Sequence, residues 1–306
     1  FQKISYYLFI FSLPLTHILF SDQYDWSYIR SELNSNDIDV IDDRLLLLYN
    51  SVIVEYDFDG SETGRYDLKT EFNIGHVQNL EVDIYKNIWL FGKEGTIIVL
   101  NSQFQLVKDF SYLDIDKSSE CIDVVIDSAQ HFLCTYIEES NLGILNFSYN
   151  AQNSPVYLDY YVLEQGVIPD EIFVDLDTDD DSIYLSSSAG VYYADKESDL
   201  KQSESWQLYN DNLLALSSVS LSDIFIFSES SDNTIDVFNI DGSLIQNLPY
   251  SIEGYVDVIN IEESLIGLVL SDQVIILSYN IDSNQFSVED TYSFDLGLCT
   301  QAVFKD

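Results

Sequence analysis

The stretch Ile38–Gly60, IDVIDDRLLLLYNSVIVEYDFDG, decides the fold class. Short apolar runs alternate with Asp-, Asn- and Gly-containing turns, a pattern typical of consecutive antiparallel β-strands. With the segment that follows, it predicts four strands, named a to d in chain order: Ile38–Ile41, Leu45–Tyr49, Ser51–Tyr56 and Gly64–Leu68.

An Asp or Asn after an apolar pair recurs along the chain at the end of strand c. The six positions lie 44, 49, 45, 44 and 41 residues apart by subtraction: Asp57, Asn101, Asn150, Asp195, Asn239 and Asn280. A period of about 40 to 50 residues is typical of one four-stranded propeller blade. The sequence therefore predicts an all-β fold, a β-propeller built from four-stranded blades.

The two ends of the chain determine the predicted number of blades. Trp26–Arg30 resembles a strand d because Trp206–Tyr209 occupies that place in a later repeat, and Leu298–Asp306 resembles a strand a without partners. We expect six complete blades plus a partial seventh, in a chain truncated at its C-terminus. Residues 22–306 are expected to form one propeller domain, incomplete at that end.

Residues 1–21 differ in composition from the repeats. Lys3 precedes an apolar run that extends to Phe20, and the small residue Ser21 stands before Asp22. This order predicts a secretory signal peptide, because Pro14 and the short length disfavour a membrane-spanning helix. We expect export to the periplasm, the cell surface or the medium, and no membrane-spanning segment in the mature chain.

The formal net charge of -41, from 12 basic and 53 acidic residues, limits the class of partner. Binding of nucleic acid or anionic lipid requires clustered Lys or Arg, so nucleic acid is excluded as a partner. Cationic partners, divalent ions and a saline medium all agree with this charge.

Three cysteines are predicted to be free thiols. In the expected hairpin of Ile122–Ile126 and Phe132–Tyr136, Val125 faces Cys134 and Cys121 faces Glu138, too far for a disulfide. Cys299 lies in another repeat.

The densest acidic cluster contains the candidate metal ligands Asp175, Asp177 and Asp179, for which Ca²⁺ would be the metal. A calcium loop of the EF-hand type requires Gly at Asp180 and Glu at Ser186, so a solvated hairpin turn is the alternative interpretation. No nucleophile, nucleotide-binding or transition-metal motif is found, and no catalytic or cofactor-binding residue is assigned.

Tyr and Phe number 22 and 18, and most lie at strand positions that predict packing between blades. The pairs Tyr160-Tyr161 and Tyr192-Tyr193 are exceptions, because neighbouring residues face opposite sides of a strand and one of each pair should be accessible.

Two stretches carry a family resemblance: Asn87-Ile-Trp-Leu-Phe-Gly-Lys-Glu-Gly95 and Asp181-Ser-Ile-Tyr-Leu-Ser-Ser-Ser-Ala-Gly190, with the entry Trp206–Tyr209. The chain resembles two-component regulator propeller repeats and, through Trp26 and the run 38–59, the N-terminal propeller of the PorZ-like proteins of the type IX secretion system. Phe132–Tyr136 departs from the pattern, lacking the Trp and the following Gly.

The resemblance implies an exported, non-enzymatic scaffold that binds a protein or glycan partner on a loop face of the propeller. A propeller enzyme, either a lyase or a glycosidase with channel-facing carboxylates, and a fragment of a larger adhesin are the alternatives.

Overall fold

The structure is a computed structural model of the chain. It describes residues 6–11, 25–28, 37–49, 51–57, 61–113, 120–126, 132–138, 141–162, 173–179, 181–187, 190–209, 215–220, 224–239, 241–262, 264–293 and 299–305.

The described secondary structure is dominated by β-strands, as the period-2 patterning predicts. The first strands in chain order are β1 (Tyr6–Phe11), β2 (Asp25–Tyr28), β3 (Asp37–Ile41), β4 (Arg44–Tyr49), β5 (Val52–Asp57), β6 (Glu62–Asp67), β7 (Val77–Val82), β8 (Ile88–Gly92), β9 (Ile97–Leu100), β10 (Leu106–Asp109), β11 (Glu120–Ile126), β12 (Phe132–Glu138), β13 (Asn141–Tyr149) and β14 (Pro155–Val162). The remaining strands are β15 (Phe173–Thr178), β16 (Ser182–Ser187), β17 (Gly190–Asp195), β18 (Trp206–Tyr209), β19 (Ala215–Ser220), β20 (Ile224–Glu229), β21 (Ile235–Asn239), β22 (Leu244–Leu248), β23 (Tyr255–Glu262), β24 (Leu265–Leu270), β25 (Gln273–Asn280), β26 (Gln285–Ser293) and β27 (Cys299–Lys305).

Helical structure in the described residues is limited to single turns between strands. One α-helix, α1, spans Leu68–Phe72, and the 3₁₀ turns are Lys93–Gly95, Ser111–Leu113, Ser203–Ser205 and Ile252–Gly254. Within the described ranges, no helix is long and apolar enough to cross a membrane.

Consecutive strands form four-stranded antiparallel sheets, each of which is the predicted propeller blade with strands a to d in order. Three strand pairings are described in each of the sheets β3–β6, β7–β10, β11–β14, β15–β18 and β23–β26. The structure thus shows five complete blades, rather than six complete blades and a partial seventh. In the sheet β19–β22, the described registers are those of β20 with β21 and of β21 with β22.

The chain divides into two compact units, one containing residues 1–68 and 219–306 and the other containing 69–218. In the second unit, strand β11 contacts both β7 and β15, so the first strands of neighbouring sheets lie side by side. In the first unit, β27 likewise contacts both β23 and β3, the first strands of two four-stranded sheets.

Apolar faces of neighbouring sheets pack against each other in both units. In the second unit, Trp89 and Phe91 of β8 pack with Leu145 and Phe147 of β13, and the ring centroids of Trp89 and Phe147 are 5.2 Å apart. In the first unit, Phe225 and Phe227 join a cluster with residues of β23–β26. Such burial is the main stabilising contribution of the fold.

A three-stranded sheet differs from the predicted partial blade. Its strand order is β2-β1-β27, so the C-terminal strand has a partner supplied by Tyr6–Phe11. The sequence predicts no partner for this strand within the chain, because Tyr6–Phe11 belongs to the expected signal peptide. Removal of that peptide stays a prediction.

The hairpin of β11 and β12 has a different register from the predicted one. Cys121 lies opposite Tyr136, and Val124 rather than Val125 lies opposite Cys134. The register differs by one residue from the turn onwards, where Ile126 lies opposite Phe132, and a bulge between Cys121 and Val124 shifts it by one residue more. Cys121 is a buried free thiol, as predicted.

The recurring Asp or Asn closes the turn between strands c and d. Its side-chain oxygen accepts backbone N–H groups two to four residues on, an Asx turn. The contacts are Asn101 Oδ1 with Gln103 N (3.0 Å) and Gln105 N (2.9 Å), Asn150 Oδ1 with Gln152 N (2.9 Å) and Ser154 N (3.1 Å), Asp195 Oδ1 with Glu197 N (2.8 Å), Asn239 Oδ1 with Ser243 N (3.2 Å), and Asn280 Oδ1 with Ser283 N (3.1 Å). The Asp or Asn that recurs in the sequence therefore marks a turn of the same geometry in successive blades.

Three of these turns have a left-handed residue three positions after the Asn. Phe104, Asn153 and Gly242 have φ values of 58°, 57° and 81°. Gly242 adopts this conformation at no steric cost, because it has no Cβ. Phe104 adopts it while buried, so apolar packing there outweighs the backbone preference.

Asn150→Ala should lower the free energy of unfolding by about 1 kcal/mol, because two backbone N–H groups lose their acceptor. Asn150→Asp should restore most of the loss, since a carboxylate oxygen accepts the same bonds. Urea denaturation measures both, with the exposed Gln152→Ala as the control. An equal loss in Asn150→Asp and Asn150→Ala would contradict the role of the acceptor.

Candidate functional site: the acidic first strands

The first strands of several blades carry aspartates in a repeated local arrangement. Each carboxylate accepts the N–H of the residue that follows it. The contacts are Asp37 with Ile38 (2.8 Å), Asp39 with Val40 (2.6 Å), Asp123 with Val124 (2.8 Å), Asp177 with Thr178 (2.8 Å) and Asp257 with Val258 (2.7 Å). Because a first strand is the edge of its sheet, these side chains supply acceptors for edge N–H groups and fix the carboxylates in place.

In the first unit, the acidic strands lie on both sides of β27. Asp37 and Asp39 belong to β3, Asp257 belongs to β23, and both strands contact β27. All three side chains are half-buried. Each retains a solvent-facing part and is held by the backbone at the same time; the three carboxylates together are called the acidic face below.

In the second unit, Asp123 joins two neighbouring sheets. Its Oδ1 accepts from Val124 N at 2.8 Å, and its Oδ2 accepts from Leu176 N of β15 at 2.8 Å. A side-chain hydrogen bond links it to Asp175 of the same strand β15. Because a hydrogen bond between two carboxyl groups requires a proton, one of the two groups is protonated when the bond is formed.

Burial raises the pKa of Asp123 to about 6, although the N–H groups of Leu176 and Val124 and the bond with Asp175 act in the opposite direction. Strands β11 and β15, the first strands of two neighbouring sheets, are thus linked by a carboxyl group whose charge changes at weakly acidic pH.

The three predicted metal ligands have separate hydrogen-bonding roles. Asp175 contacts Asp123, and Asp177 accepts from Thr178 N. Asp179 caps the turn between β15 and β16, as expected for a hairpin turn: it accepts from the N–H groups of Asp181 (2.8 Å) and Ser182 (2.7 Å) and from the Tyr184 hydroxyl (2.7 Å). Among the described residues, no group of three or more His, Cys, Asp or Glu side chains is arranged to hold a metal ion.

The Asn87-Ile-Trp89 motif has a partner that sequence reasoning missed. Buried Asp83 accepts from Asn87 Nδ2 (2.7 Å), Trp89 Nε1 (2.9 Å) and the Tyr149 hydroxyl (2.7 Å) through Oδ2. Its Oδ1 accepts from Tyr85 N (2.9 Å) and Asn87 N (2.8 Å). Tyr149 comes from the neighbouring sheet, so this carboxylate holds two blades of the second unit together.

Burial and the Asp83 carboxylate raise the pKa of Tyr149, so its hydroxyl stays protonated and donates. In the sequence, the position of Asp83 four residues before Asn87 is the signal that could have indicated this partner. The third side-chain donor, Tyr149, could not be found in this way, because it lies 66 residues from Asp83.

The prediction that one residue of the pair Tyr192-Tyr193 is more accessible to solvent than the other is confirmed. Tyr192 is buried in the core with Leu185, whereas Tyr193 is half-exposed. The Tyr193 ring stacks on Tyr209 with centroids 4.4 Å apart, and its hydroxyl donates to Gln207 Oε1 at 2.6 Å. The side chains of Tyr160-Tyr161 lie outside the described residues.

Comparison with solved structures places the chain among β-propellers. No protein-family model and no curated protein sequence matches it. PorZ, a surface component of the type IX secretion system of Porphyromonas gingivalis, aligns with a TM-score of 0.60 and 9% identity over 86% of this chain. The chain spans only 33% of PorZ. The expected PorZ-like resemblance is confirmed at the level of the fold.

Other solved structures align over most of both chains. A protein named as a 6-phosphogluconolactonase from Bacteroides uniformis has a TM-score of 0.63 and 11% identity, covering 96% of this chain and 100% of its own. The WD40 propeller domain of Doa1 has a TM-score of 0.58 and 17% identity, covering 92% and 94%. At these identities the likeness concerns the fold, because propellers host unrelated functions.

The Asp123 carboxyl should give the stability a defined pH dependence. The folded protein keeps its proton up to about pH 6, whereas the ordinary value of 3.8 applies to the unfolded chain. The free energy of unfolding therefore decreases as pH rises between these values. Asp123→Asn lacks this decrease, so its stability relative to wild type should rise by about 1 to 2 kcal/mol across the interval, after allowance for partial solvent exposure.

Urea denaturation of both proteins across that pH interval measures this difference. Asp241→Asn is a control of opposite sign, because hydrogen bonds from Ser243 lower the pKa of the exposed Asp241. Its relative stability should fall as pH rises towards 3.8, below the interval in which Asp123 acts, and should change little above it. A pH-independent difference for Asp123→Asn would contradict the assignment.

Proposed function

We propose that this protein is an exported β-propeller scaffold that binds a partner protein through a basic segment of that partner. The fixed, half-buried carboxylates of the first strands are the observation that carries the proposal. Asp37, Asp39 and Asp257 are held by their own backbone and so lose little conformational freedom on binding.

The charge of the whole chain supports this choice of partner. With 53 acidic and 12 basic residues, the chain attracts cationic ligands over long range and repels anionic ones. Electrostatic complementarity raises association rates and selects among partners. A neutral glycan gains nothing from this field, so a basic protein segment is favoured over a glycan.

Export is part of the proposal. The basic start, apolar run and small residue of positions 1–21 support a signal peptide, and the fold shared with a bacterial surface component agrees with it.

A random peptide library displayed on phage is a direct probe of the acidic face. Selection on the purified protein should enrich Lys- and Arg-containing peptides. The Asp37→Asn, Asp39→Asn, Asp257→Asn triple variant should bind the selected peptides about tenfold more weakly, and added salt should weaken binding to wild type.

The charge-matched control is a triple variant of exposed turn residues, Asp232→Asn, Asp272→Asn and Asp282→Asn, which should bind within about twofold of wild type, because exposed charges contribute little. An equal loss in both triple variants would show a general charge effect and contradict a site on the first strands.

One observation favours an enzyme as the second candidate. The hydrogen-bonded pair of Asp123 and Asp175 carries a carboxyl whose pKa is raised to about 6 by burial, suited to acid–base catalysis. Hydrogen-bonded carboxyl groups lie closer than the roughly 5 Å or more that separates glycosidase carboxylates, so proton abstraction by a lyase fits better than glycoside hydrolysis.

Ultraviolet absorbance of unsaturated products during incubation with methyl-esterified polyuronates, which carry no charge for the acidic chain to repel, tests the lyase. Activity lost in Asp123→Asn and retained in Asp177→Asn would support this second candidate. Equal product formation by wild type and Asp123→Asn would eliminate it.

A further inference from the structure

The outer strand of each four-stranded sheet, strand d, has one side on which no described strand pairs. In the sheets other than β15–β18, this strand contains a β-bulge, which interrupts the row of hydrogen-bonding groups and hinders the addition of a further strand. The extra residues of these bulges are Thr63 in β6, Val107 in β10, Leu158 in β14, Ile245 in β22 and Glu289 in β26.

Strand β18 is the exception. It pairs with β17 without a register shift, from Ala194 opposite Trp206 to Val191 opposite Tyr209. Its sequence, WQLY, contains no charged residue, whereas β6, β10, β14 and β26 each contain at least one, and the uncharged β22 has a bulge. Bulges and charged side chains protect exposed edges against strand addition. Among the described four-stranded sheets, β18 therefore has the one outer edge that is both regular and uncharged.

The hydrogen-bonding pattern shows which backbone groups of β18 face outwards. Lys196 N donates to Asp181 O at 2.8 Å, at the end of the β16–β17 pairing. Because hydrogen-bonded and non-hydrogen-bonded pairs alternate along antiparallel strands, Tyr193 directs its backbone groups towards β18, where it lies opposite Gln207. Leu208 is the next residue, so its N–H and C=O point away from β17, to the open side of the sheet.

The side chains beside this edge are accessible to solvent. Leu208 is 39% exposed on one face of the sheet, and Gln207 is exposed on the other face. On the face of Gln207, the half-buried Tyr209 ring stacks on Tyr193 with centroids 4.4 Å apart. The Tyr193 hydroxyl donates to Gln207 Oε1 at 2.6 Å, so the rings and the amide are held in place before any ligand binds.

A strand added beside β18 has side chains that lie next to these groups. On the face of Leu208, the matching neighbour is apolar. On the face of Gln207 and Tyr209, an aromatic ring and an amide match a guanidinium or ammonium group. The net charge of -41 attracts the same cationic groups and disfavours edge-to-edge pairing of two copies of the chain. An extended segment that alternates apolar and basic residues therefore matches both faces.

We propose that the outer edge of β18 binds such a segment of a partner protein by strand addition. Backbone hydrogen bonds to Leu208 hold the segment, and its alternating side chains determine which segment is selected. Strand addition at β18 requires neither export nor the acidic face. The edge belongs to the unit of residues 69–218, whereas Asp37, Asp39 and Asp257 belong to the other unit, so the two sites can be tested separately.

Fluorescent synthetic peptides test the edge directly. The probe is a short peptide of alternating Arg and Val. One control has the same composition with all Arg residues before all Val residues, and the other is the alternating peptide with N-methyl groups throughout its backbone. The purified protein should bind the probe at least about tenfold more tightly than either control, because only the probe combines the alternation with the strand hydrogen bonds.

Substitutions at the edge separate the backbone from the side chains. Leu208→Pro removes the outward N–H without removing a hydrogen bond between β17 and β18, and should abolish the preference for the probe. Leu208→Ala keeps this N–H and should weaken binding by no more than about threefold. Tyr209→Leu removes the ring beside the basic side chain and should weaken binding about two- to fivefold.

Circular dichroism verifies the fold of each variant, and the N-methylated peptide tests the hydrogen bonds on wild type even if Leu208→Pro unfolds. Equal binding of the probe and the N-methylated peptide, or of the probe to wild type and folded Leu208→Pro, overturns strand addition. A wild-type dimer that the folded Leu208→Pro variant does not form also overturns it, because the edge then binds a second copy.

The Asp37→Asn, Asp39→Asn, Asp257→Asn triple variant separates this inference from the proposed function. It should keep the preference for the probe over the shuffled peptide. If the triple variant loses this preference and Leu208→Pro keeps it, the probe binds the acidic face, which supports the proposed function and overturns the site on β18.

Discussion

A backbone N–H bound to an Asp or Asn side-chain oxygen is the interaction on which the architecture depends. It closes the turns after strand c, as at Asn101 and Asn150, and it satisfies the edges of first strands, as at Asp39 and Asp257. Turns and edges are the places where a sheet leaves backbone groups without a ladder partner. A chain rich in short acidic and amide side chains can satisfy these groups without loops or added elements.

This use of carboxylates leaves their charge largely uncompensated. The sequence has 12 basic residues against 53 acidic ones; among the described residues, Arg44 pairs with buried Glu55, Arg65 pairs with Glu62 at 2.9 Å, and Lys201 pairs with Asp159 at 2.8 Å on the surface. Gly64 makes room for the Glu55 side chain, because a Cβ at that position would lie 2.6 Å from Glu55 Oε2. The acidic field is consequently a property of the whole surface, whereas the fixed first-strand carboxylates are local, and only the latter can distinguish one ligand shape from another.

Much of the fold could be predicted from the sequence because its causes are local. Alternating apolar residues located most strands, and the recurring Asp or Asn located the turn after strand c. The Asp83 network could not be predicted, because Tyr149 reaches it from 66 residues away. The bulge at Cys121 shifted a register that regular pairing could not anticipate. The pair Asp123–Asp175 depends on contact between two blades, and a sequence this acidic offers no basis for choosing that pair.

The division of the chain has a consequence for the order of folding. Residues 69–218 form their unit from one continuous segment, whereas the other unit joins residues 1–68 to residues 219–306. During synthesis from the N-terminus, the continuous unit has all of its contacts available while the first 68 residues still lack the contacts that they make with residues 219–306. Closure of a loop about 150 residues long must then precede the last contacts, and such non-local closure is slow. The early N-terminal strands are thus the part of the nascent chain that waits longest for its last contacts, and the part for which a chaperone has the most time to compete.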